Sequence, residues 1–295
     1  MIINQANLEG IYKSFSTIFN ESFQATPTDY NLITMETKSG GRSVDYKWLG
    51  DLDGMREWLG DRVIKDLSGF HYEITNKPYE LTISVDRDDI EDDLIGVYTP
   101  RFQMLAHQSK IHPDELVFAL LKLAFETECY DGQYMIDTDH TVNGASVSNY
   151  GGGSGNPWFL MDLSKPIKPM ILQRRKAPQF VAMDNPQDES VFMRKEFRYG
   201  VDDRKNVGFG LWQLIYGSND TLDATTYAAA RAAMMGFKRD DGVGATPLGV
   251  RPTHLMVGAT NESAGRSLVK IMNNAAGAGN PWFGTAELVV TPWLT

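Results

Sequence analysis

Residues 79–85 alternate strictly: Tyr79, Leu81, Ile83 and Val85 are apolar, while Glu80, Thr82 and Ser84 are polar. A period of two marks a strand with one buried face. The period then changes. Across about 97–126, Phe102, Leu105, Ala106, Leu116, Leu120, Leu123 and Ala124 form a helical stripe. The chain therefore commits to a half-buried sheet and a long helix in succession. Pro113 inside this stripe, followed by Asp114 and Glu115, predicts one kinked helix or two nearly collinear ones. The order of elements elsewhere is neither βαβ-regular nor that of a sandwich, so the fold class is α+β.

Residues 7–24 carry a second helical stripe, Leu8, Ile11, Tyr12, Phe15, Ile18 and Phe19, ended at Thr26-Pro27. Val44, Tyr46 and Trp48 alternate with polar neighbours, and Trp48-Leu49-Gly50-Asp51 recurs as Trp58-Leu59-Gly60-Asp61. Two readings fit this echo. It is a pair of similar turns in one excursion, or a protruding loop that presents Tyr46, Trp48, Arg56, Trp58 and Arg62 to a partner, Trp and Arg being favoured interface anchors. Aromatic runs at 191–199 and 209–216 read as strands, and the Ala-rich stretch 222–235 as a helix stopped by Gly236. Gly-Asn-Pro-Trp-Phe occurs at 155–159 and at 279–283, in unlike surroundings, and reads as two similar turns rather than a fold repeat.

Composition excludes several classes. Hydrophobic residues are 42% and the net charge is −10, which argues against disorder and against a protein that coats DNA through Lys and Arg. The single cysteine, Cys129, cannot form an intrachain disulfide and reads as a buried, inert thiol. No basic and apolar leader opens the sequence, and no apolar run reaches membrane length.

Candidate chemistry is sparse. The acidic run 86–93 offers oxygen ligands for a divalent cation, but lacks the calcium-loop pattern and is equally the acidic start of a helix. Asp137, Asp139 and His140 are the residue types of a metal-dependent hydrolase, or of an ordinary polar turn. No nucleophile elbow, phosphate loop or dinucleotide fingerprint is present. No catalytic set, cofactor or metal is assigned. Lys165, Lys168, Arg174, Arg175 and Lys176 form the one local basic cluster, read either as a solvated face or as a contact patch for a subunit or nucleic acid.

Several strings, taken in order, resemble the major head subunit of Mu-like bacteriophages and prophages. They are Tyr46-x-Trp48-Leu49-Gly50, Glu57-Trp58-x-Gly60, the run 86–93, Pro113-Asp114-Glu115-Leu116, Cys129-Tyr130-Asp131-Gly132-Gln133, Phe192-Met193-Arg194, Tyr199-Gly200-Val201-Asp202 and 206–213. The resemblance runs from near residue 10 to Pro292-Trp293-Leu294. It implies a major capsid protein with the fold named for phage Hong Kong 97. On that pattern residues 1–37 are an N-terminal arm, 38–70 an extended β-hairpin loop and 71–135 a peripheral domain with its spine helix. Residues 136–250 are then an axial domain, and 251–295 return to the peripheral domain. It further implies hexamers and pentamers in an icosahedral shell around double-stranded DNA, with no sequence-specific binding and no membrane. Because the sequence begins directly with the arm, scaffolding is expected from a separate protein, alongside a portal and, in some shells, decoration proteins. The setting implied is the virion, assembled in the host cytoplasm. An encapsulin-like nanocompartment and the Asp/His hydrolase are the competing expectations.

Overall fold

The computed structural model describes residues 2–50, 54, 70–239, 246–273 and 277–294. The chain opens with helix α1 (Gln5–Ala25), capped where the Asn4 side chain accepts the Asn7 N–H. A short helix α2 (Tyr30–Ile33) leads into strand β1 (Thr34–Lys38). Strands β2 (Ser43–Asp45) and β3 (Glu73–Thr75) pair antiparallel, and β4 (Lys77–Asp86) contains the alternating segment. Asp86 then caps helix α3 (Arg87–Glu91), so the acidic run is a helix start with Asp88 and Asp89 in the first turn.

The long helix α4 (Thr99–Lys122) is one uninterrupted element with Pro113 inside it, where a restart was a possible reading. Buried Phe102, Leu105, Ala106, Val117, Phe118 and Leu121 make its inner stripe. Next come β5 (His140–Val142), β6 (Ala145–Val147), β7 (Tyr150–Gly153) and β8 (Trp158–Met161). Two 14-residue strands follow, β9 (Met170–Met183) and β10 (Glu196–Phe209), joined through helix α5 (Glu189–Arg194). The strand expected over 191–199 is therefore a helical turn and then a strand. The end of the chain holds β11 (Ile215–Asn219), α6 (Ala224–Met235), β12 (His254–Val257), α7 (Glu262–Val269) and β13 (Glu287–Val290).

Two sheets organise these elements. The first has the order β1-β9-β10-β4, with β1 parallel to β9 and the other pairs antiparallel. The second has the order β13-β12-β8-β11-β7. Helices α1 and α4 pack on one end of the first sheet. Leu8, Ile11, Phe15 and Phe19 meet Phe102, Leu105, Phe197 and Tyr199 there, with Phe15 stacked on Phe102 at 3.8 Å between ring centres. The larger core lies around the second sheet and includes Trp158, Phe159, Trp212, Tyr227 and Met256. Strands β9 and β10 run from one core into the other: Met170 to Leu172 belong to the larger, Phe197 to Val201 to the smaller.

These pairings regroup the expected segments. Residues 170–209 share a sheet with β1 and β4, across the boundary drawn at 136. Strands β12 and β13 pair with β8, so much of 251–295 joins the second sheet. The chain end still touches the front of the molecule, where Thr291 Oγ1 donates to Asp29 Oδ2 at 2.9 Å. The repeated pentapeptide serves two purposes. Trp158 enters β8 fully buried, whereas Trp282 lies in a turn against Tyr227.

Candidate assembly surface

The β9–β10 hairpin ends in α5, and α5 points apolar side chains at solvent. Phe192 is 83% exposed and Met193 69%, with Val181 and Met183 also exposed on the adjoining end of β9. The tip is rigidly tied. Lys195 closes α5 in the left-handed conformation, its carbonyl accepts the Arg87 N–H at 2.8 Å, and its ammonium pairs with Asp88 at 3.2 Å. A monomer rarely exposes large apolar residues this way unless another molecule covers them. The sequence reading missed this feature because Val191 to Tyr199 looked like one buried strand. The usable signal was Asp188-Glu189 at a helix start.

A second exposed feature is the edge of the first sheet. Among the described residues strand β4 has a neighbour on one side only, and Leu81 on it and Met104 on α4 are exposed beside Ile83 and Pro100. Open strand edges invite pairing with another chain.

The residues named for the protruding loop divide. Tyr46 is not on an exposed face: it is 2% exposed, and its hydroxyl lies 2.6 Å from Thr37 Oγ1 and donates to Gln173 Oε1 at 2.9 Å. The short alternation around it stops at Asp45, and Tyr46 turns inward beside Tyr72, whose carbonyl accepts its N–H. Trp48 is half-buried, edge-on to Tyr46 and packed against the larger core. Arg56, Trp58 and Arg62 lie outside the described residues.

The basic cluster is not a patch. The register of β9 against β10 shifts here, so that Arg174 lies opposite Lys205 and Lys176 opposite Arg204, which puts the two on different faces of the sheet. Arg174 pairs with Glu36 at 2.8 Å, Lys176 pairs with Asp202, and Arg175 donates to the Ser39 carbonyl at 3.1 Å. Lys165 and Lys168 donate to the carbonyls of Gly249 and Leu163. Five cations are thus spread over separate local partners.

The Asp137, Asp139 and His140 set does not converge. Asp137 accepts the N–H groups of Tyr134 and Thr138, Asp139 faces solvent, and His140 turns inward to Asp131 at 2.7 Å. Cys129 is buried as expected. Burial first, and then the Asp131 carboxylate, push its thiol far above the ordinary range.

An apolar knob on a long hairpin and an open sheet edge, with no converging catalytic set among the described residues, suit a protein that associates. Residues 8–294 match the family of the Mu-like prophage major head subunit gpT. The chain belongs to this family. The major capsid protein of Escherichia phage Mu is 34% identical over 308 residues, covering 100% of each chain. The Mu-like prophage FluMu major head subunit of Haemophilus influenzae is 38% identical over 275 residues, 89% of this chain and 88% of that one. Among solved structures, the procapsid of bacteriophage JBD30 has a chain 40% identical that superposes with a TM-score of 0.88, over 99% of this chain and 100% of that one. The JBD30 capsid gives 31% identity and a TM-score of 0.79, with 100% of each chain covered. A further JBD30 capsid is decorated with minor capsid protein trimers. This Mu-like head subunit is therefore a structural shell protein of the phage head and a component of the virion, with the α+β capsid fold. Its relatives are structural proteins and not enzymes, which sets aside both the hydrolase and the nanocompartment.

Proposed function

We propose that the subunit builds its icosahedral head from hexamers and pentamers, closed around double-stranded DNA that it encloses without gripping. The charge arrangement carries this reading. At −10 per chain the acidic excess opposes approach to phosphate, and Arg174, Lys176 and Lys205 are each held by a carboxylate of the same chain. Packing between subunits then holds the particle, and the genome is confined rather than bound. The supporting surfaces are the Phe192–Met193 knob and the open β4 edge, and the segment 38–70 with Trp48, Arg56, Trp58 and Arg62 is proposed as a further contact. Tyr46 acts from inside as the anchor of that segment's stem.

Assembly takes place in the host cytoplasm with a separate scaffolding protein and a portal. The trimers on the JBD30 capsid favour a decoration protein as an additional partner of the finished shell. The loop, spine and axial parts then correspond to segments 38–70, 71–135 and 136–250 only approximately, because the β9–β10 hairpin belongs with the spine helix. Fluorescence anisotropy of free subunits with duplex DNA across a salt series tests the charge argument. Weak binding with a shallow salt slope is expected. Tight binding that collapses as salt rises would mean that the subunit grips the genome.

A further inference from the structure

Three donor side chains that take no part in the surfaces above meet behind the C-terminal end of α4. Cys129 and Asp131 sit in a tight turn, closed where the Cys129 N–H donates to the Gln133 carbonyl at 2.7 Å and Gly132 adopts φ +81°. His140 is the first residue of β5. The Asp131 carboxylate lies between the other two, with Cys129 Sγ 3.1 Å from Oδ1 and His140 Nδ1 2.7 Å from Oδ2. One sulfur, one carboxylate oxygen and one ring nitrogen all lie within 4.8 Å of one another. The His140 ring is wholly buried and stacks on Trp212 at 4.0 Å with the planes 8° apart, and its Nε2 has no hydrogen-bond partner. One carboxylate and one indole hold this imidazole, with Nδ1 turned to the cysteine turn.

We propose that Cys129, Asp131 and His140 form a zinc site. The donor set is a thiolate, an imidazole and a carboxylate, the ligand types that tetrahedral Zn²⁺ takes. Bonds of about 2.0–2.3 Å to such ligands place donor atoms roughly 3–4 Å apart, close to their present spacing. Charge balances as well. Zn²⁺ with one thiolate and one carboxylate is neutral overall, so the metal can be buried without a net charge. Coordination releases the thiol proton to solvent and leaves the imidazole neutral, since a bound cation deprotonates a coordinating thiol. A narrow crevice lined by Gly50, Phe70, Asp131 and Thr141 adjoins the Asp131 side of the site. The site joins the turn after the long helix to β5. Its role is structural: it fixes the two-stranded β5–β6 ribbon against the turn that follows the long helix.

The test uses the full purified chain, loaded with Zn²⁺ alone and washed by dialysis. Elemental analysis should find close to stoichiometric zinc. The melting temperature should rise by about 5 °C at a hundredfold excess over the dissociation constant. Cobalt substitution should give a thiolate-to-metal charge-transfer band. Cys129→Ser keeps a donor to Asp131 but removes the soft ligand, and should abolish the retained zinc, the thermal shift and the cobalt band together. His140→Gln should weaken retention at least tenfold. If that variant fails to fold, the wild-type cobalt spectrum decides. A wild-type chain that keeps no zinc and shows no thiolate band overturns the site, as does a Cys129→Ser chain that binds zinc as the wild type does.

Discussion

Asp114 follows Pro113 on the long helix and holds the N-terminal segment to it. Its Oδ1 accepts the N–H groups of Asp29 at 2.9 Å and Tyr30 at 2.6 Å. Burial raises its carboxyl to about 6 from an ordinary 3.8, against the pull of those two donors. The folded-state value is the higher one, so the folded chain takes up a proton more readily than the unfolded chain. This residue's contribution to stability is full below about pH 4 and is lost as pH rises through 6. Asp114→Asn keeps an oxygen for both donors and removes the charge. Urea unfolding of that variant should be unchanged or more resistant at pH 7.5 and flatter between pH 4 and 6. Asp114→Ala strands two N–H groups and should cost about 2 kcal/mol at either pH.

Lys205 shows where residue-level reading of the sequence stops. Asp202-Asp203-Arg204-Lys205 reads as a polar stretch, yet it lies inside the central strand β10. Lys205 is wholly buried there because it pairs with Asp203 and lies 5.6 Å from the centre of the Tyr79 ring. No apolar alternation marks such a strand. Lys205→Met leaves the Asp203 carboxylate buried and unpaired and should destabilise the subunit by about 3–5 kcal/mol. Adding Asp203→Asn should recover most of that loss, read as the midpoint of guanidinium unfolding. A double variant no better than the single would mean that the pair is not what tolerates the charge.

Elements with one steady apolar period were legible, and so were the short apolar runs that became β8 and β12, whereas elements whose burial changes along their length were not. The alternation at 79–85 is β4, an edge strand, and the stripes at 7–24 and 97–126 are α1 and α4, each packed on one side. Strands β9 and β10 change cores along their length, so no single period describes them. Helix α5 was hidden for a related reason: its large side chains face outward, against the usual pattern. Phe192→Ser with Met193→Ser removes apolar surface that nothing in the subunit covers. Circular dichroism and melting temperature should stay at wild-type values while particle yield in a sucrose gradient drops severalfold, since burying a large apolar side chain is worth roughly 1.5–3 kcal/mol per contact. Wild-type yield would show that the tip stays in solvent in the assembled head.

At the scale of the molecule, the proposed contacts through the hairpin tip and the open edge of β4 would bring together unlike surfaces of two copies. Such contacts are heterologous and close into rings where the rotation permits. A closed ring of one chain needs no further chemistry. Family membership was legible in the sequence through strings such as Phe192-Met193-Arg194, but the placement of those residues required the fold.

The most direct measurement is cryo-electron microscopy of the chain co-expressed with a scaffolding protein of a Mu-like phage. Closed icosahedral particles are predicted, with hexameric and pentameric capsomers built from this chain and density joining the Phe192–Met193 tip of one copy to a neighbour. Soluble subunits that never form capsomers in that co-expression, or particles built from another protein with this chain absent from the shell, would contradict the account.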